Sequence, residues 1–150
     1  MPDDSELIAL YSGKILALAA DIPHAELLDL PMAQAHKRAP LCGSNVTVSL
    51  DYDGEKITRF GQDVKACALG QASASILGAQ AIGASEAQIQ TARDQLLALL
   101  KSEGPTPDAP FEGYEVLRPA RGFKNRHASI MLALEATLDA IDQAQKMAQP

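Results

Sequence analysis

Apolar and polar positions follow two rhythms along this chain. Between residues 5 and 20, apolar side chains recur at Leu7, Ile8, Tyr11, Ile15 and Leu18. Spacings of three and four place them on one stripe of a helix. Asp3, Asp4 and Ser5 supply acidic and capping groups at its start. Pro23 and Pro31 bracket an irregular connection that cannot continue the helix. From Asn45 the rhythm changes to alternation: Val46, Val48, Leu50 and Tyr52 interleave with Thr47, Ser49 and Asp51, the pattern of a half-buried strand. Asp53-Gly54 tolerates the positive φ of a tight turn, and Ile57 to Phe60 return as a second strand.

Residues 67 to 82 are dominated by Ala, Ser and Gly. So few large side chains predict a helix packed very closely against a neighbour, most simply the sheet. Ser85-Glu86-Ala87-Gln88 has the form of a capping box, and Ile89, Ala92, Leu96, Leu99 and Leu100 form the inner face of the helix it opens. Gly104-Pro105 stops that helix. Residues 104 to 122 hold Pro105, Pro107, Pro110 and Pro119 and show no clear period. A connection of that length in a compact domain is usually functional or mobile. A last helix runs from about residue 126 to 147, with Ile130, Met131, Leu134, Leu138 and Ile141 on one stripe. The sum is an α+β domain spanning 1–150, with neither an internal repeat nor a boundary.

Charge narrows the function. A net charge of -6 and a pI near 4.9 argue against a protein that grips nucleic-acid backbone, which carries a basic stripe. Arg38, Arg118, Arg121, Lys124 and Arg126 are the only hints of local basicity. No apolar run of about 20 residues predicts a membrane span, and the acidic start is unlike a signal peptide. The expectation is a cytoplasmic protein whose two cysteines stay reduced. At this length roughly two thirds of the unfolded surface can be buried without a metal staple, so a bound metal would be functional before it was structural.

Cys42, Cys67 and His127 are the candidate chemistry, because sulfur and imidazole are the donors that hold zinc and iron-sulfur clusters. Each falls at the edge of an element. Cys42 lies in the turn Pro40-Leu41-Cys42-Gly43-Ser44, just before a strand. Cys67 opens the small-residue helix, where the helix dipole and unpaired N–H groups attract the anionic sulfur that metals and electrophiles need. His127 opens the last helix, with Asn125 as N-cap, and its spacing from Ile130 and Met131 turns the ring inward, toward the sheet. Each also has a plain structural role: free cysteine is among the most buried residue types, and a histidine on an apolar face is commonly a hydrogen-bonded core residue. His24 and His36 read as solvated surface.

The strings around these residues resemble the U-type iron-sulfur cluster assembly scaffolds, the family of the NifU amino-terminal domain and its IscU and SufU relatives. Pro40, Cys42, Gly43, the strand pair around Asp53-Gly54, then Cys67, Gly70, Ala72, Ala74 and Ser75 recur in the family's order. Arg126-His127-Ala128-Ser129-Ile130 is similar to its third string, a His-Cys-Ser-Ile or Lys-Cys-Ala-Thr at a helix start. The likeness covers roughly residues 7 to 141. It implies a small antiparallel sheet with helices packed on one face, a [2Fe-2S] cluster or zinc held at an exposed site, sulfur received from a cysteine desulfurase, and transfer to recipient or carrier iron-sulfur proteins. Two departures stand out. Ser44 occupies the place of an aspartate, and there is no third cysteine, although both alignments keep His127 at the site.

A [2Fe-2S] cluster takes four protein ligands, so a fourth would come from Asp63, Ser44, a partner or a second copy in a homodimer. Zinc accepts three and an open position. Three functions follow. One is a non-enzymatic scaffold or carrier holding iron, zinc or a cluster through Cys42, Cys67 and His127. Another is a zinc-binding sulfur acceptor that builds no cluster. The third is a thiol enzyme in which His127 activates a cysteine. The basic end of segment 104–122, with Arg118, Arg121 and Lys124, is the expected docking surface for a desulfurase.

Overall fold

In the computed structural model, which describes residues 12–40 and 43–148, a three-stranded antiparallel sheet carries its helices on one face. The strands are β1 (Ala33–Arg38), β2 (Asn45–Tyr52) and β3 (Ile57–Lys65), in that order across the sheet. Val46, Val48, Leu50 and Tyr52 are all buried toward the helices, as their alternation predicts. Gly54 turns the hairpin at φ +96°. The second strand runs past Phe60 to Lys65. Gln62 faces the helices with Val48, and its amide donates to the Ala74 carbonyl at 2.9 Å. On the other face, Gly61 lets the chain at Glu26 press against the sheet.

Among the described residues, four α-helices follow the sequence pattern: α1 (Gly13–Ala20), α2 (Ala68–Gln80), α3 (Glu86–Lys101) and α4 (Lys124–Ala148). Ser12 caps α1, and the expected Leu7, Ile8 and Tyr11 positions lie outside the described residues. In α3 the reciprocal Ser85–Gln88 capping box is formed, and the five apolar residues named for its inner face are the buried ones. None of the helices among the described residues is long and apolar enough to cross a membrane.

The small-residue helix corrects one expectation. α2 packs chiefly against α1 and α4, while α4 is the helix that lies across β1 and β2. Small side chains are needed where two helices close in from either side. A Cβ on Gly70 would stand 2.6 Å from Ser129 Oγ, and one on Gly78 2.8 Å from the Pro23 carbonyl oxygen. Segment 104–122 also differs from the reading of a structureless connection. Its second half, Glu112–Gly122, is 3-10 helical, and Phe111, Tyr114, Leu117 and Ala120 are buried at a strict spacing of three, the repeat of that helix. Helix α4 begins at Lys124, which places Asn125 inside its first turn rather than at the cap.

Candidate metal and sulfur site

Strand register brings the site's segments together. Arg38 pairs with Asn45, and Asn45 with Lys65, so the end of β1, the start of β2 and the end of β3 share one edge of the sheet. The 39–44 turn and Cys67 leave from that edge. Cys42 itself lies outside the described residues. Around it the turn is tied by the Ala39 N–H to the Ser44 carbonyl at 2.8 Å and by the Gly43 N–H to the Ala39 carbonyl at 3.0 Å, with Gly43 at φ +73°.

Cys67 is the N-cap residue of α2, with extended backbone and no side-chain cap hydrogen bond. Its half-buried thiol is therefore not consumed by the helix it opens. The sulfur lies 3.5 Å from Ser129 Oγ, and the Ser129 hydroxyl donates to Ser44 Oγ at 3.0 Å. Ser44 and Ser129 are both buried. Thus the residue of α4 that meets Cys67 is Ser129, two positions after His127. Beneath it, Ser73 Oγ donates to the Ile130 carbonyl at 2.6 Å and Tyr114 to the Ser73 carbonyl at 3.3 Å, which ties α2, α4 and the 3-10 segment together. Burial pushes the Tyr114 hydroxyl above the usual phenol range, so it stays a donor.

His127 is buried, but its ring turns to the 3-10 segment rather than to the sheet, with Nε2 3.0 Å from the Ala120 carbonyl oxygen. A carbonyl only accepts, so in the neutral ring Nε2 carries the proton and Nδ1 the lone pair. That is how metal-binding histidines are commonly oriented, by giving the second N–H to a backbone carbonyl. No hydrogen bond joins His127 to Cys67; the two are held by Ala120 and Ser129 respectively. The Cys67 sulfur and the Nδ1 lone pair are both donors that suit zinc and iron. Among the described residues no three His, Cys, Asp or Glu side chains converge as a metal cage. Asp63 shares the outward face of β3 with Gly61, away from the helices, and its carboxylate lies 3.8 Å from Lys65 Nζ. Ser44, by contrast, is brought to the site through Ser129.

Beside His127 a groove of about 1060 Å³ opens between α3, the 3-10 segment and the start of α4, lined among others by Lys101, Arg118, Arg121, Lys124, Ala128 and Met131. Arg118 is held by Glu115 at 2.7 Å and Arg121 by Glu103 at 2.9 Å. Hydrogen bonds from Arg118, and then from Thr106, hold the Glu115 carboxyl down to about 2. His24 and His36 are exposed as expected, His24 edge-on to Phe60 and His36 near Asn45. The apolar stripe of the last helix gives no sign of Ser129, which lies off it. In fact Leu132, Ala133, Ala136 and Thr137, off that stripe, are buried as well.

No protein-family model and no curated protein matches the sequence. Solved structures do. A nitrogen-fixing NifU-like protein (N-terminal) from Brucella abortus is 38% identical, with a TM-score of 0.92, over 95% of this chain and 99% of that one. A candidate iron-sulfur cluster assembly scaffold protein for the SUF system from thermophilic Fervidobacterium islandicum shares the fold, with a TM-score of 0.74 and 19% identity over 89% of this chain and 98% of that one. So does a hypothetical protein with a TM-score of 0.75 and 23% identity, over 90% of this chain and 98% of that one. With its sheet, its helices and this degree of identity to the Brucella protein, the chain belongs to the U-type iron-sulfur scaffold family, as a NifU-like N-terminal domain.

Proposed function

We propose that this chain works as a single-domain, cytoplasmic scaffold or carrier in iron-sulfur cluster assembly, holding iron, zinc or a [2Fe-2S] cluster as cargo through Cys42, Cys67 and His127. The observation that carries this reading is the 38% identity to a NifU-like protein along nearly the whole of both chains. The site geometry supports it: a half-buried thiol at a helix start, a histidine whose tautomer leaves Nδ1 for a metal, and a sheet edge from which both cysteine segments depart.

Sulfur delivery needs no outside oxidant. The thiolate of Cys67 or Cys42 attacks the outer sulfur of a desulfurase cysteine persulfide. A new S–S bond forms on this chain, the old one breaks, and the desulfurase thiolate leaves. Converting that sulfane sulfur to cluster sulfide takes two electrons per sulfur from an external thiol or electron-transfer reductant, which frees the cysteine as a thiolate, and recipient iron-sulfur proteins then take the cargo. In a full cluster the fourth ligand comes from Ser44, from Asp63, from a partner or from a second copy.

Anaerobic reconstitution of the purified protein with iron and sulfide tests the proposal. Visible sulfur-to-iron absorption that disappears in Cys67→Ala is the expected result, and a colourless, metal-free product contradicts it. The presence of only two cysteines favours one further reading, a zinc-holding sulfur acceptor that builds no cluster. For that reading, a mass gain of one sulfur on the intact chain after incubation with a desulfurase and cysteine, with no chromophore after reconstitution, is the expected pair of results.

A further inference from the structure

The Ser129 hydroxyl has one proton and two neighbours that can take it. It donates to Ser44 Oγ at 3.0 Å, and its oxygen lies 3.5 Å from the Cys67 sulfur. While Cys67 is a thiol, its S–H can donate to Ser129, which donates onward to Ser44. A sulfur that has bound metal has lost its proton and can only accept. In the arrangement just described it would then face the Ser129 oxygen with no hydrogen between them. Rotation about two C–O bonds reverses the chain: Ser129 donates to the sulfur and Ser44 donates to Ser129.

We propose that Ser129, backed by Ser44, is a positioning residue for loaded Cys67, an invertible hydroxyl relay whose donated hydrogen bond stabilises the metal-bound sulfur. This rests on the reading of Cys67 as a metal ligand, and it assigns a role to a residue which that reading does not require. Burial makes the relay matter. Ser129 is 1% exposed and Ser44 5%, so bulk water does not readily substitute for either hydroxyl. Close packing supplies the contact: without a side chain at Gly70, helix α4 approaches α2 until the Ser129 hydroxyl reaches the Cys67 sulfur, in the space a Cβ would fill. A hydrogen bond to an anionic acceptor is about twice as strong as a neutral one. The same bond therefore gains strength as the sulfur takes up metal, which favours the loaded site over the empty one.

The full metal-free chain, titrated with Zn2+ against a chromophoric chelator, tests this in the wild type, Ser129→Ala and Cys67→Ala. Losing one donor to a charged acceptor should weaken Zn2+ binding about tenfold in Ser129→Ala. Loading with Co2+ gives a readout that a merely structural role would not move. Removing a hydrogen bond from the thiolate raises its donor level, so the sulfur-to-cobalt band of Ser129→Ala should move to longer wavelength. Unchanged affinity and an unmoved band, with binding still abolished in Cys67→Ala, overturn the relay and leave the scaffold reading intact. Zn2+ binding indifferent to Cys67→Ala overturns both. If Ser129→Ala does not fold, Ser44→Ala carries the test, with an expected loss of about threefold and a smaller shift of the band; wild-type values there overturn the relay.

Discussion

Replacing Gly70 by alanine probes the closest approach of α2 and α4. An ideal Cβ at this position stands 2.6 Å from Ser129 Oγ, 2.8 Å from Ala66 Cβ and 3.2 Å from the Ser129 carbonyl oxygen. Turning the Ser129 hydroxyl aside does not make room, because Ala66 Cβ and the Ser129 carbonyl oxygen are fixed by the backbone, so relief requires the backbone of α4 or of residue 66 to shift. Overpacking of this kind costs about 1–3 kcal/mol. Against it stands a gain of about 1 kcal/mol from the better helix propensity of alanine. The expected net loss is at most about 2 kcal/mol, a fall in Tm of up to about 8 °C for a chain of this size. Gly113→Ala is the control, because its Cβ would meet only Ile76 Cγ2 at an ordinary 3.5 Å. It should be neutral or stabilise by up to about 1 kcal/mol through the unfolded state. Thermal and urea unfolding followed by circular dichroism measure both. If Gly70→Ala is more stable than the wild type by the full propensity gain of about 1 kcal/mol, the close packing inferred between these helices is wrong.

Two further outcomes follow from local interactions. Ser85→Ala removes the acceptor of the Gln88 N–H, 3.1 Å away, and should cost about 1 kcal/mol in urea unfolding; no measurable change would contradict a working capping box. The Glu115 carboxyl, held down to about 2 in the fold, stabilises the protein above its ordinary range near 4.5, and that contribution fades as pH falls toward 2. The pair is partly exposed and screened by solvent, so Glu115→Gln should lose no more than about 1 kcal/mol near neutral pH and converge with the wild type in acid; a difference that grows on acidification would refute the assignment.

Legibility in the sequence tracked the size of the side chains. The β2–β3 hairpin, the capping box and the inner face of α3 were plain because large apolar residues or turn chemistry mark them. Strand β1 was not: its buried positions are Ala33 and Ala35, too small to stand out against Gln34 and His36, and Pro31 precedes it. Beyond Phe60, Gly61 and Gln62 continue β3 without β-branched residues, because one admits a neighbouring chain and the other bonds to α2. The 3-10 segment carried its signal openly in Phe111, Tyr114, Leu117 and Ala120, but at a period of three rather than the two usually sought. At the site, Cys67 could be placed at its helix start from the change in composition after β3. The partner of its sulfur could not, because which α4 residue meets residue 67 depends on how closely two helices approach, and that distance is set by the absent side chain of Gly70.

X-ray absorption at the zinc edge, on protein loaded with one equivalent of Zn2+, bears most directly on the claim that Cys42, Cys67 and His127 hold a metal together. The account predicts two sulfur scatterers at about 2.3 Å and an imidazole nitrogen at about 2.0–2.1 Å, with one sulfur lost in Cys67→Ala and the imidazole pattern lost in His127→Ala. A shell of oxygen and nitrogen alone, unchanged in those variants, would contradict it.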